Sequence, residues 1–197
     1  MRRYNIDATR VYVAGLSAGG ALTAVMAATY PDLYAAAGVH SGLARGSARN
    51  VPSAYGAMRN GDVDIAPDLA LSPMNLGGQR RVPTIIFHGD KDDTVHPRNS
   101  THVLEQAWPD ARTVLKHKLR EGRVSGGHGY TQTAYFDDSG QSVLEMWDVH
   151  GSGHAWSGGH LAGSYTDPLG PNASREMMRF FLAHKLEHAS ALEDIAN

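Results

Sequence analysis

The 197-residue chain contains no cysteine. That absence excludes a disulfide framework, a thiol nucleophile, a C-x-x-C redox pair and thiolate metal sites, and it leaves the compartment open. No window reaches 18 consecutive apolar residues, so no membrane-spanning helix and no membrane partner are expected. The opening stretch, Met1-Arg2-Arg3-Tyr4-Asn5-Ile6-Asp7, carries positive charge with no apolar segment of signal-peptide length behind it. Lysine and arginine number 18 against 20 aspartates and glutamates, with no long basic run, so the electrostatic footprint of a nucleic-acid binder is lacking. What the chain does have is glycine, 22 residues, many of them in short loops beside Ser, Asp and His. Loops of this kind are where catalytic groups tend to sit.

The apolar pattern predicts an α/β fold with a mainly parallel sheet. Thr9-Arg10-Val11-Tyr12-Val13-Ala14 reads as a strand buried on both faces. A tight turn follows over 15–20, and a buried helix runs from Ala18 to about Thr29 before Pro31. A weaker strand covers 35–40, and the Gly/Ser/Arg/Pro-rich stretch to about Gly78 reads as loop with one helical turn. The clearest strand is 82–88, closed by Gly89-Asp90. A helix over 97–108, strands over 131–136 and 142–149 joined by Asp137-Asp138-Ser139-Gly140, and a last helix capped by Asn172 complete the pattern. In that helix Met177, Met178, Phe180, Phe181 and Leu186 are expected to form one apolar face. One domain, 1–187, is expected, with 188–197 as a tail.

Gly15-Leu16-Ser17-Ala18-Gly19 matches G-x-S-x-G between an apolar strand and a helix, the placement a nucleophile elbow requires. A serine hydroxyl needs a base to take its proton and a carboxylate to orient that base. The loop after the 82–88 strand offers Asp90, Asp92 and Asp93, and the Gly-framed loop after the 142–149 strand offers His154. Trp156, two residues on, is a candidate for lining an acyl or aromatic substrate site. A metal site is the chemical rival: His150, His154 and His160 cluster in sequence, and His184-Lys185-Leu186-Glu187-His188 matches H-x-x-E-H. That second match falls in the last turns of a helix, where His and Lys suit the dipole without any ligand role, so no metal is expected.

Residues 6–20, 88–95 (His88-Gly89-Asp90-Lys91-Asp92-Asp93-Thr94-Val95) and 153–159 (Gly153-His154-Ala155-Trp156-Ser157-Gly158-Gly159) resemble the poly(3-hydroxybutyrate) depolymerase-like esterases. That group shares the α/β-hydrolase fold with feruloyl and acetylxylan esterases, and the likeness extends from about residue 6 to residue 184. The resemblance implies Ser17 as nucleophile, His154 as base and, through the pattern H-G-x-x-D-x-x-V that ends at Val95, Asp92 as acid. It implies hydrolysis of hydroxyalkanoate esters or polyesters, or of cell-wall feruloyl or acetyl esters, without a cofactor and compatibly with secretion. The Ala18 N–H is then an oxyanion donor. His96 stands where the pattern usually has Pro. The group also places further strands, and a loop with a second oxyanion donor, ahead of the elbow, where this chain has ten residues. The sequence is therefore expected to be the C-terminal part of an enzyme, with a free sheet edge open to self-association and weak activity by itself. A non-catalytic, polymer-binding remnant and a same-fold peptidase or acyltransferase are the alternatives.

Overall fold

The computed structural model describes residues 6–48, 50–61, 80–109, 111 and 115–187. In chain order its elements are β1 (Tyr12–Leu16), α1 (Ala18–Thr29), β2 (Ala36–His40), α2 (Val51–Asn60), β3 (Thr84–Gly89), α3 (Arg98–Ala107), β4 (Lys116–Arg123), β5 (Gly129–Phe136), β6 (Ser142–Val149), β7 (Trp156–Ser157), β8 (Thr166–Asp167) and α4 (Ala173–Leu182). Six strands form one sheet in the order β1-β2-β3-β6-β5-β4. The pairs β1·β2, β2·β3 and β3·β6 are parallel, whereas β5 and β4 extend the sheet antiparallel. The expected α/β sheet is thus present, with an antiparallel hairpin added at one end.

Alternation along the central strands divides the core between the two faces. Val39, Ile86 and Leu144 point to one side and pack with Ala24 of α1 and Val103 and Leu104 of α3. Ile85, Phe87, Trp147 and Val149 point to the other and pack with Met177, Phe180 and Phe181 of α4. Helix α4 comes so close to β2 that a Cβ on Gly38 would press on Met177 and Phe181. Asn172 caps α4 by accepting the Arg175 N–H at 2.8 Å. Its apolar face is narrower than the sequence suggests: Met178 is exposed, and Leu186 lies beyond the helix, half-buried.

Several expectations are corrected. Strand β1 begins at Tyr12 and is half-exposed, with Ala14 open to solvent, because it pairs only with β2 and no described strand covers its outer edge. Helix α1 buries a stripe of Gly20, Thr23, Ala24 and Ala27 and leaves Leu22 exposed. The region read as loop holds the ten-residue helix α2, set by an Asn50/Ser53 capping box, Pro52 in its first turn and left-handed Gly61 at its end. Residues 62–79 and the tail from 188 lie outside the described residues. Strand β4, KHKLREGR, is exposed along nearly its whole length. Its lysines and arginines protect a free edge from pairing with other chains. No described helix is long and apolar enough to cross a membrane.

Candidate active site

The elbow is a single residue. Ser17 links β1 directly to α1 with φ 58° and ψ −119°, a backbone conformation that costs a non-glycine residue of the order of 1–3 kcal/mol. Its N–H is held by the His40 carbonyl at 2.9 Å. No hydrogen bond to its hydroxyl occurs among the described residues, and that hydroxyl does not cap α1. Helical bonding starts with the Ala21 N–H donating to the Ser17 carbonyl at 2.9 Å, so the N–H groups of Ala18, Gly19 and Gly20 have no partner within the helix. Ala18 and Gly19 are exposed. Free donors at a helix N-terminus, beside an unengaged hydroxyl, are suited to bind developing negative charge.

The two motif glycines play different parts. A Cβ on Gly15 would collide with the backbone of Gly19, whereas one on Gly19 meets no described atom within 4 Å. Gly15→Ala should therefore lower stability by about 1–3 kcal/mol through overpacking against an unyielding backbone. Gly19→Ala should be neutral or stabilising by up to about 1 kcal/mol, since alanine is the better helix former. Urea midpoints of the two variants check this, and equal midpoints would contradict it.

Asp92 lies in the turn after β3, with its side chain fully buried. One carboxylate oxygen accepts the N–H groups of Thr94 at 3.0 Å and Val95 at 2.8 Å. The other faces His154 Nδ1 at 2.8 Å and His88 Nε2 at 3.4 Å. Burial alone would raise the pKa of this carboxyl. The His88, Val95 and His154 hydrogen bonds outweigh burial and hold it well below the usual carboxylate range. Asp90 instead binds the Gly151 N–H at 2.7 Å and faces His150 at 3.4 Å, and both Asp90 and Asp93 are exposed. Of the three carboxylates offered by the sequence, Asp92 is the one joined to His154.

His154 follows β6, and among the described residues no hydrogen bond joins it to Ser17. Strand β6 lies three places from β1 in the sheet, or roughly 14 Å at ordinary strand spacing, so the segment after β6 has to fold back across the ends of β3 and β2. It does so in close contact. A Cβ on Gly89 would collide with the Ser152 carbonyl, the Lys91 N–H donates to that same carbonyl at 3.0 Å, and the Asp92–His154 bond follows. The segment ends over β2, where the Ser157 N–H donates to His40 Nε2 at 3.0 Å and the Trp156 ring stacks on His40 at 5.2 Å. Trp156 is half-buried and donates its ring N–H to Ser174 Oγ at 3.0 Å, so one of its ring faces serves packing.

Sequence reasoning passed over His40 and His88, each of which ends an apolar strand run. Their signal was position, since polar residues at the C-terminal ends of parallel strands face the crevice where ligands bind. His88 Nε2 lies 2.7 Å from the Val95 carbonyl, which can only accept, so that nitrogen carries the proton. The other serines near the site have engaged hydroxyls: Ser152 donates to Asp167 at 2.6 Å, Ser157 to the Pro171 carbonyl at 2.6 Å, and Ser41 lies 3.2 Å from His40 Nδ1. In the H-x-x-E-H stretch, His184 is buried with both ring nitrogens against carbonyl oxygens, of Phe180 and Ser142, and His188 lies outside the described residues.

Burial, reinforced by neighbouring His88, lowers the His40 pKa to about 3. Between pH 6.5 and 3 the unfolded chain therefore binds a proton at this residue that the folded chain refuses, and stability falls as pH falls, by up to about 1.4 kcal/mol per pH unit. Below the ordinary Asp value of 3.8 the depressed Asp92 carboxyl acts in the same direction, because only the unfolded state is protonated there. Urea midpoints should drop steadily from pH 7 to pH 4.5. A flat profile would contradict the buried, neutral state of His40.

The profile of the family described as esterase PHB depolymerase matches residues 1–109. The chain belongs to that family. This PHB depolymerase-family chain is 34% identical over 155 residues to poly(3-hydroxyalkanoate) depolymerase C of Paucimonas lemoignei, covering 77% of itself and 36% of that protein. It is 35% identical over 147 residues to feruloyl esterase B of Neurospora crassa, covering 70% of itself and 49% of that protein. It therefore spans between about a third and a half of the length of these curated relatives. Its fold matches an acetyl xylan esterase from Aspergillus awamori with a TM-score of 0.63 and 25% identity, over 92% of this chain and 62% of that one. The architecture is that of the α/β-hydrolase esterases.

Proposed function

We propose that this protein is a serine carboxylic ester hydrolase in which Ser17, His154 and Asp92 act together. The observation that carries this reading is the buried Asp92 bonded to His154 Nδ1 at 2.8 Å, on a segment that folds back as far as β2, whose end also holds the N–H of a strained serine with no hydroxyl partner among the described residues. In the reaction, Ser17 Oγ attacks the ester carbonyl while His154 Nε2 takes the hydroxyl proton. Asp92 keeps the other ring proton on Nδ1 and stabilises the imidazolium. The carbonyl oxygen becomes an oxyanion facing the Ala18 N–H. Collapse of the intermediate expels the alcohol, which takes the proton from His154, and leaves an acyl-serine. Water activated by His154 attacks that ester, releasing the carboxylic acid and restoring Ser17.

The substrates proposed are hydroxyalkanoate esters and polyesters, or acetyl and feruloyl esters of cell-wall polymers, on the strength of the relatives' names. Trp156 is the proposed contact for the acyl or aromatic part, and no cofactor is required. Turnover of p-nitrophenyl acetate and butyrate, a 3-hydroxybutyrate oligomer, acetylated xylan and methyl ferulate, each against Ser17→Ala, tests the reaction and ranks the substrates. Failure to hydrolyse any of them, together with no fluorophosphonate labelling of Ser17, would overturn the reading.

A further inference from the structure

His40 closes β2 and holds both halves of the candidate site. Its carbonyl accepts the Ser17 N–H at 2.9 Å, and its ring Nε2 lies 3.0 Å from the Ser157 N–H. A backbone N–H can only donate, so Nε2 carries a lone pair. The single ring proton then sits on Nδ1, facing Ser41 Oγ at 3.2 Å. The ring is 1% exposed and lies between Trp156, at 5.2 Å and 26°, and Phe87, at 5.7 Å and 17°. The aromatic row continues across the sheet through Trp147, 5.1 Å from Phe87, and Tyr130, 5.1 Å from Trp147. His40 therefore cannot swing without disturbing the core of that face.

We propose that His40 is a positioning residue for ester hydrolysis. By accepting the Ser157 N–H it pins the returning segment over the end of β2, and thereby fixes His154, three residues earlier, relative to a serine whose amide is fixed to its own carbonyl. The proposal rests on the roles given above to Ser17, Asp92 and His154. Its physical basis is where the segment is held: Asp92 and the Lys91 N–H hold His154 and the Ser152 carbonyl at the end of β3, and Trp156 and Ser157 donate to Ser174 and the Pro171 carbonyl beside α4. Among the described residues, the His40 bond adds the attachment to β2, the strand that pairs with β1 and whose end holds the Ser17 N–H. A misplacement of about 1 Å between reacting groups costs about 10²-fold in rate, so a tether at this point acts on kcat and leaves ground-state binding almost untouched.

Two substitutions separate the acceptor from the ring. His40→Phe keeps a flat ring between Trp156 and Phe87 but offers no acceptor, while His40→Gln keeps an acceptor at similar reach but loses the ring. The expected result is a fall of about 10- to 100-fold in kcat on p-nitrophenyl butyrate for His40→Phe, with KM nearly unchanged and fluorophosphonate labelling of Ser17 slowed in parallel. His40→Gln should recover most of that loss. Wild-type kcat in His40→Phe, or a loss in His40→Gln as large as in His40→Phe, would overturn the proposal. Two readings on the unsubstituted protein do not depend on catalysis or on a variant folding: 15N imidazole spectra should show His40 protonated on Nδ1 alone at pH 7, and the Ser157 amide should exchange slowly. A proton on Nε2, or a freely exchanging Ser157 amide, would refute the tether. Undiminished turnover in Ser17→Ala would instead refute the catalytic reading, with these two readings still reporting on the attachment.

Discussion

Replacing Ser17 with alanine is expected to lower ester turnover by about 10⁴- to 10⁶-fold, the scale seen when the nucleophile of a comparable serine centre is removed. The size of the effect follows from the absence of a substitute among the described serines near the site. Ser152 and Ser157 are buried and donate to Asp167 and to the Pro171 carbonyl, and Ser41 is buried beside His40 Nδ1. None of these has an unengaged hydroxyl at the N-terminus of a helix, whereas the Ser17 hydroxyl has no partner among the described residues. The fold should tolerate the change, because the Ser17 hydroxyl makes no hydrogen bond among the described residues and does not cap α1. Thermal unfolding is therefore expected to stay within a few degrees of the parent while turnover disappears. A fluorophosphonate probe should label Ser17 in the parent and nothing in the variant. Mapping of the label to Ser157, or residual turnover within tenfold of the parent, would show that another nucleophile operates.

The elbow was legible in the sequence because its parts are local. An apolar strand, two glycines around a serine and an alanine-rich helix follow one another within twenty residues, and each element is set by its own composition. The parallel strands β2 and β3 were legible for the same reason, as short apolar runs buried on both faces. Strand β4 was not, because an edge strand exposed on both faces has no buried positions to impose an alternation. Only its register with β5, from Lys116 opposite Phe136 to Arg123 opposite Gly129, makes it a strand. Helix α2 was hidden by Pro52, Ser53 and Gly56, poor helix formers. Its order comes from its caps and from docking on α3, where the Asn99 side chain donates to the Ala57 carbonyl at 2.9 Å. The capping pair Asn50/Ser53 was the sign available in the sequence. At the site, sequence reasoning reached the proposed nucleophile and base, Ser17 and His154, through pattern and chain order, and the proposed acid, Asp92, through the family resemblance. It missed His40 and His88 because their roles exist only once neighbouring strands and a returning segment surround them.

Asp92→Asn is expected to lower kcat by about 10⁴-fold with KM almost unchanged, the cost of losing the acid of a well-studied serine triad. The expectation of so large an effect from so small a change rests on the hydrogen bonds of Asp92. In the parent, Asp92 accepts at both oxygens: from the Thr94 and Val95 N–H groups at one, and from His154 Nδ1 at the other. An asparagine can keep the first pair through its carbonyl oxygen, so the turn after β3 should hold. Its amide nitrogen then faces His154, where it can only donate. The His154 Nδ1 must become an acceptor and the ring proton moves to Nε2, the atom that has to receive the Ser17 proton. Charge matters as well, since the hydrogen bonds from His88, Val95 and His154 keep the buried Asp92 ionised, and the neutral amide cannot stabilise the imidazolium formed during attack. Asp93→Asn is the matched control: Asp93 is exposed and no bond joins it to His154, so turnover should remain within about twofold of the parent, as surface substitutions away from a site usually allow. A crippled Asp93→Asn beside an Asp92→Asn near parental activity would move the acid by one residue and overturn the assignment.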